Sequence, residues 1–105
     1  MLIEISDVVR NKAHVGGAGD WLESLPALVA ELADEWGLEV AGTLSGGTEA
    51  VVLAVTCRGG PAVLKLLVPR TGAAHGEIVA LRLADGEGCA RLLDADETRS
   101  ALLLE

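Results

Sequence analysis

Ser45-Gly46-Gly47-Thr48-Glu49-Ala50-Val51-Val52-Leu53-Ala54-Val55-Thr56-Cys57, then Arg58-Gly59-Gly60-Pro61, then Ala62-Val63-Leu64-Lys65-Leu66-Leu67, is the stretch whose reading decides the fold. It reads as a glycine turn, a β-rich run over residues 50–57, a second turn, and an apolar strand over residues 62–67 with an amine at its centre. Glu77 follows at the start of a helical pattern. Period-two alternation places Val63, Lys65 and Leu67 on one sheet face and Ala62, Leu64 and Leu66 on the other. A lysine flanked by Val63-Leu64 and Leu66-Leu67 is costly to bury unless paired. Taken alone, Lys65 reads as an edge-strand lysine that discourages aggregation or as a snorkelling surface residue. The glycine turn before it and Glu77 after it favour a functional role instead: backbone N–H groups at Gly46-Gly47 can approach phosphate oxygens, and Thr48 adds a hydroxyl. Glu77 is expected in a first helical turn, where the dipole favours a carboxylate, and as a partner it would neutralise and aim the amine.

Outward from this stretch the pattern continues in both directions. Residues 1–18 read as an irregular lead-in, with glycines and no periodicity between Asn11 and Gly19. Gly17-Ala18-Gly19 begins like a dinucleotide fingerprint but has Leu22 where the third glycine belongs, and no strong strand precedes it. Asp20 and Glu23 form a capping-box pattern opening a helix at Trp21. Pro26 either kinks that helix or begins a second one capped by Ser24. Leu25, Leu28, Val29, Leu32 and Trp36 follow helical spacing, Glu31, Asp34 and Glu35 face outward, and Gly37 is the stop. Alternation over residues 38–44 predicts the first strand. Beyond Pro69, residues 72–75 read as loop and residues 76–84 as a helix with Ile78, Leu81 and Val79 inward. A fourth strand is predicted over residues 89–93, a polar turn over 94–98 and a fifth strand over 100–104. The sum is an α+β fold: a five-stranded antiparallel sheet with one helix inserted after the third strand and another in front.

Composition excludes several function classes. The 105 residues are half apolar, enough for one small domain with a core. A net charge of −8 argues against nucleic acid or an anionic membrane as partner. Trp21 and Trp36 are the whole aromatic complement, so there is no platform for stacking bases. No apolar run reaches membrane-spanning length and Met1-Leu2-Ile3-Glu4-Ile5 lacks a signal-peptide pattern, so a cytoplasmic location is expected. Cys57 and Cys89 lack CxxC spacing and read as small buried hydrophobes. His75 reads as loop surface, and neither it nor His14 has neighbours in sequence that suggest a metal. A Walker-type loop is excluded, because no Gly-Lys-Ser/Thr follows the glycines and the lysine lies on a separate strand.

Trp21-Leu22-Glu23-Ser24-Leu25-Pro26-Ala27-Leu28, Trp36-Gly37-Leu38, Gly46-Gly47-Thr48, Pro61-Ala62-Val63-Leu64-Lys65-Leu66 and Glu77-Ile78-Val79-Ala80-Leu81, with Ala90-Arg91-Leu92-Leu93 and Ala101-Leu102-Leu103-Leu104-Glu105, resemble in order the aminoglycoside and hydroxyurea phosphotransferase family. The resemblance covers about residues 19–105 and implies the N-terminal lobe of a protein-kinase-like fold in an ATP-dependent small-molecule kinase. By that analogy Lys65 contacts the α- and β-phosphates with Glu77 as its ion-pair partner. Gly46, Gly47 and Thr48 cover the phosphates, Val63 roofs the adenine, and Leu104 and Glu105 stand at the hinge to a second lobe. The glycine turn has fewer glycines than the protein-kinase pattern. The catalytic aspartate, the metal-holding residues and the antibiotic pocket, which the family places in its C-terminal lobe, have no counterpart here. Magnesium is therefore expected only in the full-length enzyme, nucleotide binding is expected to be weak, and no turnover is expected from these residues alone. The alternative is a non-catalytic interaction module or gene remnant, whose apolar underside would meet a second copy or a C-lobe partner.

Overall fold

The computed structural model describes residues 19–44, 50–68, 73–87 and 91–105. The elements run α1 (Gly19–Trp36), β1 (Leu38–Leu44), β2 (Ala50–Cys57), β3 (Gly60–Leu67), α2 (Ala73–Ala84), β4 (Leu92–Asp96) and β5 (Ala101–Leu104). The five strands form one antiparallel sheet in the order β1-β2-β3-β5-β4. The predicted lead-in and the glycines and threonine at 46–48 lie outside the described residues, as does Cys89.

α1 is one continuous helix, with neither a break nor a second start at Pro26. Leu22, Leu25, Val29 and Leu32 make an unbroken buried stripe that runs past Pro26, which sits on the exposed side. Packing of the stripe outweighs the hydrogen bond that the proline lacks. Ser24 is not a cap: its hydroxyl donates back to the Trp21 carbonyl at 2.8 Å, inside the helix. Trp21 is buried at the start of α1, with no hydrogen-bond partner for its indole N–H among the described residues, and Trp36 is half-buried at the end. Gly37, at φ 65°, turns the chain into β1, a left-handed conformation that glycine adopts without a Cβ penalty.

The two sheet faces carry separate cores. Against α1 lie Val51, Leu53 and Val55 of β2, Ala62, Leu64 and Leu66 of β3, and Ala101 and Leu103 of β5. On the opposite face Ala50, Leu67 and Leu102 pack with Ala74 and Ile78 of α2. The register is continuous along β2 and β3, from Ala50 opposite Leu67 to Cys57 opposite Gly60.

Four expectations need correction. α2 begins at Ala73 rather than at residue 76, because Ala74, one turn before Ile78, is buried with it; His75 is therefore helical. Val79 faces solvent rather than the core. β4 runs Leu92–Asp96, so it continues past residue 93 into the expected turn, which occupies residues 97–100 instead of 94–98; residues 89 and 90 of the expected strand lie outside the described residues. Side-chain bonding at Asp96 fixes that register: its carboxylate accepts from the Arg99 backbone at 3.2 Å and from Arg99 Nε at 2.6 Å, while Ser100 N donates to the Glu97 carbonyl. The strand absorbs the offset in a bulge between Leu92 and Asp94. Cys57, at the end of β2, is half-buried rather than buried.

Arg99 also ties this turn to α1. Its guanidinium makes a two-pronged contact with the Glu35 carboxylate, one bond at 3.1 Å, and lies 3.8 Å from Glu31. The hydrogen bond from Arg99 holds the Glu35 carboxyl below its usual range. Burial pushes the Asp96 carboxyl up, but the hydrogen bonds and charge of Arg99 outweigh it and hold it low; the Arg99 pKa is raised in turn.

Leu64 is fully buried in β3 beneath α1. Leu64→Ala is expected to lower unfolding stability by about 2–5 kcal/mol, readable in urea titration. Because both carboxyls are depressed in the folded state, their contribution is present above their unfolded pKa values of about 4 and is lost as pH falls through the folded ones. Arg99→Ala is expected to lower stability at neutral pH and to flatten its decline in acid. Parallel acid-stability curves for the two proteins would contradict this.

Candidate functional site

Lys65 stands at the middle of the sheet. On β3 it is paired across to Val52 of β2 on one side and to Leu102 of β5 on the other. Strand alternation turns it away from α1 and toward α2. Its Nζ donates to Glu77 Oε1 at 2.5 Å, and both side chains are 29% exposed. Shielded but wet, the pair avoids the desolvation penalty of a fully buried ion pair while keeping part of the attraction that solvent screens at an open surface.

Glu77 is the fifth residue of α2, one turn further in than a reading from the sequence suggests. The dipole of the helix start therefore explains less of its position than the ammonium does, since that effect fades within the first turn. Glu77 reaches Lys65 because Ala74 and Ile78 seat α2 on Leu67 and Leu102, the residues beside Lys65 on that face.

The same face carries an apolar strip. Val63 pairs with Ala54 on β2 and with Leu104 on β5, and all three are half-buried. Val52, also half-buried, lies directly across from Lys65. Val63, Lys65 and Leu104, singled out from the sequence, are thus brought together with Glu77. Glu105 lies beyond the end of β5, exposed, with its N–H donating to the Arg91 carbonyl at 2.9 Å. Val52 and Ala54 were legible too: counting by twos from Ala50 puts them on the face of Lys65. Gly46, Gly47 and Thr48 fall outside the described residues, but the strand ends they join are defined. Leu44, the last residue of β1, pairs with Val52, which pairs with Lys65, and Ala50, the first residue of β2, pairs with Leu67.

An ammonium has three donors, and Glu77 accepts one. The remainder can serve a second anion, with the carboxylate fixing the direction of approach. Beside it, Val52, Ala54, Val63 and Leu104 offer a flat apolar surface to a planar group. A ligand with an anionic end and an aromatic body would match both parts of this surface. His75 lies outside this constellation, on the flank of α2, with its Nδ1 2.7 Å from Glu97 Oε1. Among the described residues no cluster of His, Cys, Asp and Glu is arranged to hold a metal ion, and no helix is long and apolar enough to cross a membrane.

The family described as aminoglycoside/hydroxyurea antibiotic resistance kinase matches residues 35–105. The chain is 46% identical to a hydroxyurea phosphotransferase of Kitasatospora aureofaciens over 99% of its own length and 32% of that protein. It is 47% identical to a streptomycin 6-kinase of Streptomyces glaucescens and 44% identical to one of Streptomyces griseus, in each case over 81% of this chain and 28% of the relative. It thus spans about a third of the length of the curated relatives it matches. No solved structure matches it significantly. With a five-stranded antiparallel sheet, a helix between β3 and β4 and a strand lysine paired to that helix, the chain has the fold of a protein-kinase-like N-terminal lobe and belongs to the aminoglycoside/hydroxyurea antibiotic resistance kinase family.

Proposed function

We propose that this chain is the nucleotide-binding N-terminal lobe of an ATP-dependent phosphotransferase that acts on an alcohol group of an aminoglycoside-like antibiotic. The observation that carries the reading is the Lys65–Glu77 pair, held at 2.5 Å between β3 and α2 beside the half-buried strip of Val52, Val63 and Leu104. ATP suits both halves of this surface, and it supplies the phosphoryl group when bound. Lys65 would hold the α- and β-phosphates, with Glu77 neutralising the ammonium and limiting its rotation. Val63, Val52 and Leu104 would cover one side of the adenine and exclude water from it. Gly46, Gly47 and Thr48 would offer backbone N–H groups and a hydroxyl to the phosphates, and the chain near Leu104 and Glu105 would meet the adenine edge with backbone groups.

Positioning and charge stabilisation make up most of phosphoryl-transfer catalysis, and both need a metal and an oriented acceptor hydroxyl. We assign the activating base, the Mg²⁺-holding residues and the antibiotic pocket to the portion of the relatives' length that this chain does not span. The chain alone is accordingly expected to phosphorylate no streptomycin, and measurable turnover by the purified 105 residues would refute that assignment.

The direct test is amide NMR of the chain titrated with ATP and Mg²⁺. Shifts are expected at Val52, Val63, Leu104 and residues 46–48. Lys65→Ala is expected to weaken binding about ten- to a hundredfold, the range for losing a hydrogen bond to a charged group. Glu77→Gln should weaken it less, because the ammonium remains. An unchanged affinity in Lys65→Ala, or no ATP response in the parent chain, would overturn the assignment.

A further inference from the structure

Where α1 ends, a cleft of about 240 Å³ opens between the helix, the turn joining β2 to β3, and the edge strand β4. Trp36, Leu93 and the buried Leu103 give it an apolar lining. Leu93 is there because of the bulge in β4. Leu92 pairs with Leu104 and Asp94 with Leu103, so Leu93 has no partner across the ladder and stays 44% exposed. At about 30 Å³ of liquid per water the cleft holds roughly eight waters, below the range of sites for drug-sized ligands. It is too small for a nucleotide.

The charged groups on the lining are unevenly engaged. Glu35 is taken up by the two-pronged contact with Arg99. Asp94 accepts from the Ala95 backbone through Oδ1 alone, which leaves its other oxygen open. Arg58 has no hydrogen-bond or ion-pair partner among the described residues. Arg58 and Asp94 thus bring opposite charges to one cleft and make no ion pair across it. The backbone at Arg58 adds a second observation. Arg58 and Gly59 form the two-residue turn between the paired Cys57 and Gly60, with φ of 54° and 79°. Turns with both central residues left-handed favour Asn, Asp or Gly in the first place. An arginine there is strained, and no local contact offsets the strain.

We propose that this cleft is a second ligand site, for a small zwitterion of amino-acid type with an apolar side chain. The carboxylate would meet the Arg58 guanidinium, whose fork of donors suits it, and the ammonium would donate to Asp94. The side chain would lie against Trp36 and Leu93. A simple anion would face Asp94 and a simple cation would face Arg58, so a ligand with both signs is favoured over either. The site is on the sheet face opposite Lys65: Leu103 lines it, while Leu104, the next residue of β5, belongs to the strip beside Lys65. It does not depend on the nucleotide reading.

The test is amide and methyl NMR of the 105-residue chain without nucleotide, titrated with L-leucine and with L-phenylalanine to about 10 mM, a range suited to so small a ligand. Shifts are expected at the Trp36 indole N–H, the Leu93 methyls and Arg58, with Val52 and Val63 unmoved. N-acetyl-L-phenylalanine and phenethylamine each lack one of the two charges and are expected to bind at least about tenfold more weakly. Arg58→Asn suits the turn and Asp94→Asn can still accept from Ala95, so both keep the fold; each is expected to lower affinity about tenfold. Bound amino acid is also expected to slow alkylation of the Cys57 thiol, which lines the cleft. No shift at Trp36 and Leu93 with either amino acid would overturn the proposal. Equal binding of the singly charged compounds, or unchanged affinity in Arg58→Asn or Asp94→Asn, would overturn it too, because only apolar adhesion would then remain.

Discussion

An ammonium in the central strand of a sheet with apolar cores on both faces constrains everything around it. Lys65 must keep some contact with water and must meet an opposite charge, or β3 loses its place between β2 and β5. Strand alternation sends Leu64 and Leu66 into the α1 core and leaves Lys65 on the thinner face, where α2 covers only part of the sheet. The incomplete cover has two results. The pair stays wet enough to be tolerated, and the neighbouring Val52, Val63 and Leu104 stay open to a ligand.

The second organising feature is the turn at residues 97–100. It is short and polar, but it touches both helices: Arg99 reaches Glu35 on α1 and Glu97 reaches His75 on α2. The helices lie on opposite faces of the sheet and meet through this turn at its β4–β5 edge. An exposed ion pair contributes little by itself, yet the contacts of Arg99 with Asp96, Glu35 and Glu31 act together to fix the turn against α1.

Local chemistry made the central part of this fold readable. The extents of β1, β2 and β3, the alternation of β2 and β3, and the glycine at the end of α1 follow from residue spacing, and the structure has them where the spacing puts them, although a bulge between Val40 and Gly42 breaks the alternation of β1 and leaves Leu44 exposed. The misreadings share a different cause. Residues 89–93 suggest a strand that stops before Asp94, but the end of β4 is set downstream by the bonding of Asp96 with Arg99 and its register by a bulge, neither visible as a pattern of hydrophobicity. Pro26 with Ser24 before it offers a second helix start, while the stripe from Leu22 to Leu32 carries one helix through it. The early start of α2 depends on one small residue, Ala74, whose burial is a tertiary fact. At the site, Val52 and Ala54 could be counted out from Ala50, whereas the contact of His75 with Glu97 joins positions that no local spacing relates.

The placement of the two tryptophans gives the molecule an uneven optical character. With no tyrosine or phenylalanine in the chain, near-ultraviolet absorption and intrinsic emission come from Trp21 and Trp36, the one buried at the beginning of α1 and the other half-buried at its end. Both report on one sheet face. Fluorescence would therefore follow the detachment of α1 from the sheet and remain nearly silent about events around Lys65. An emission-detected unfolding curve would describe one half of the core, and its coincidence with a backbone-detected curve would measure how tightly β3 couples the two faces.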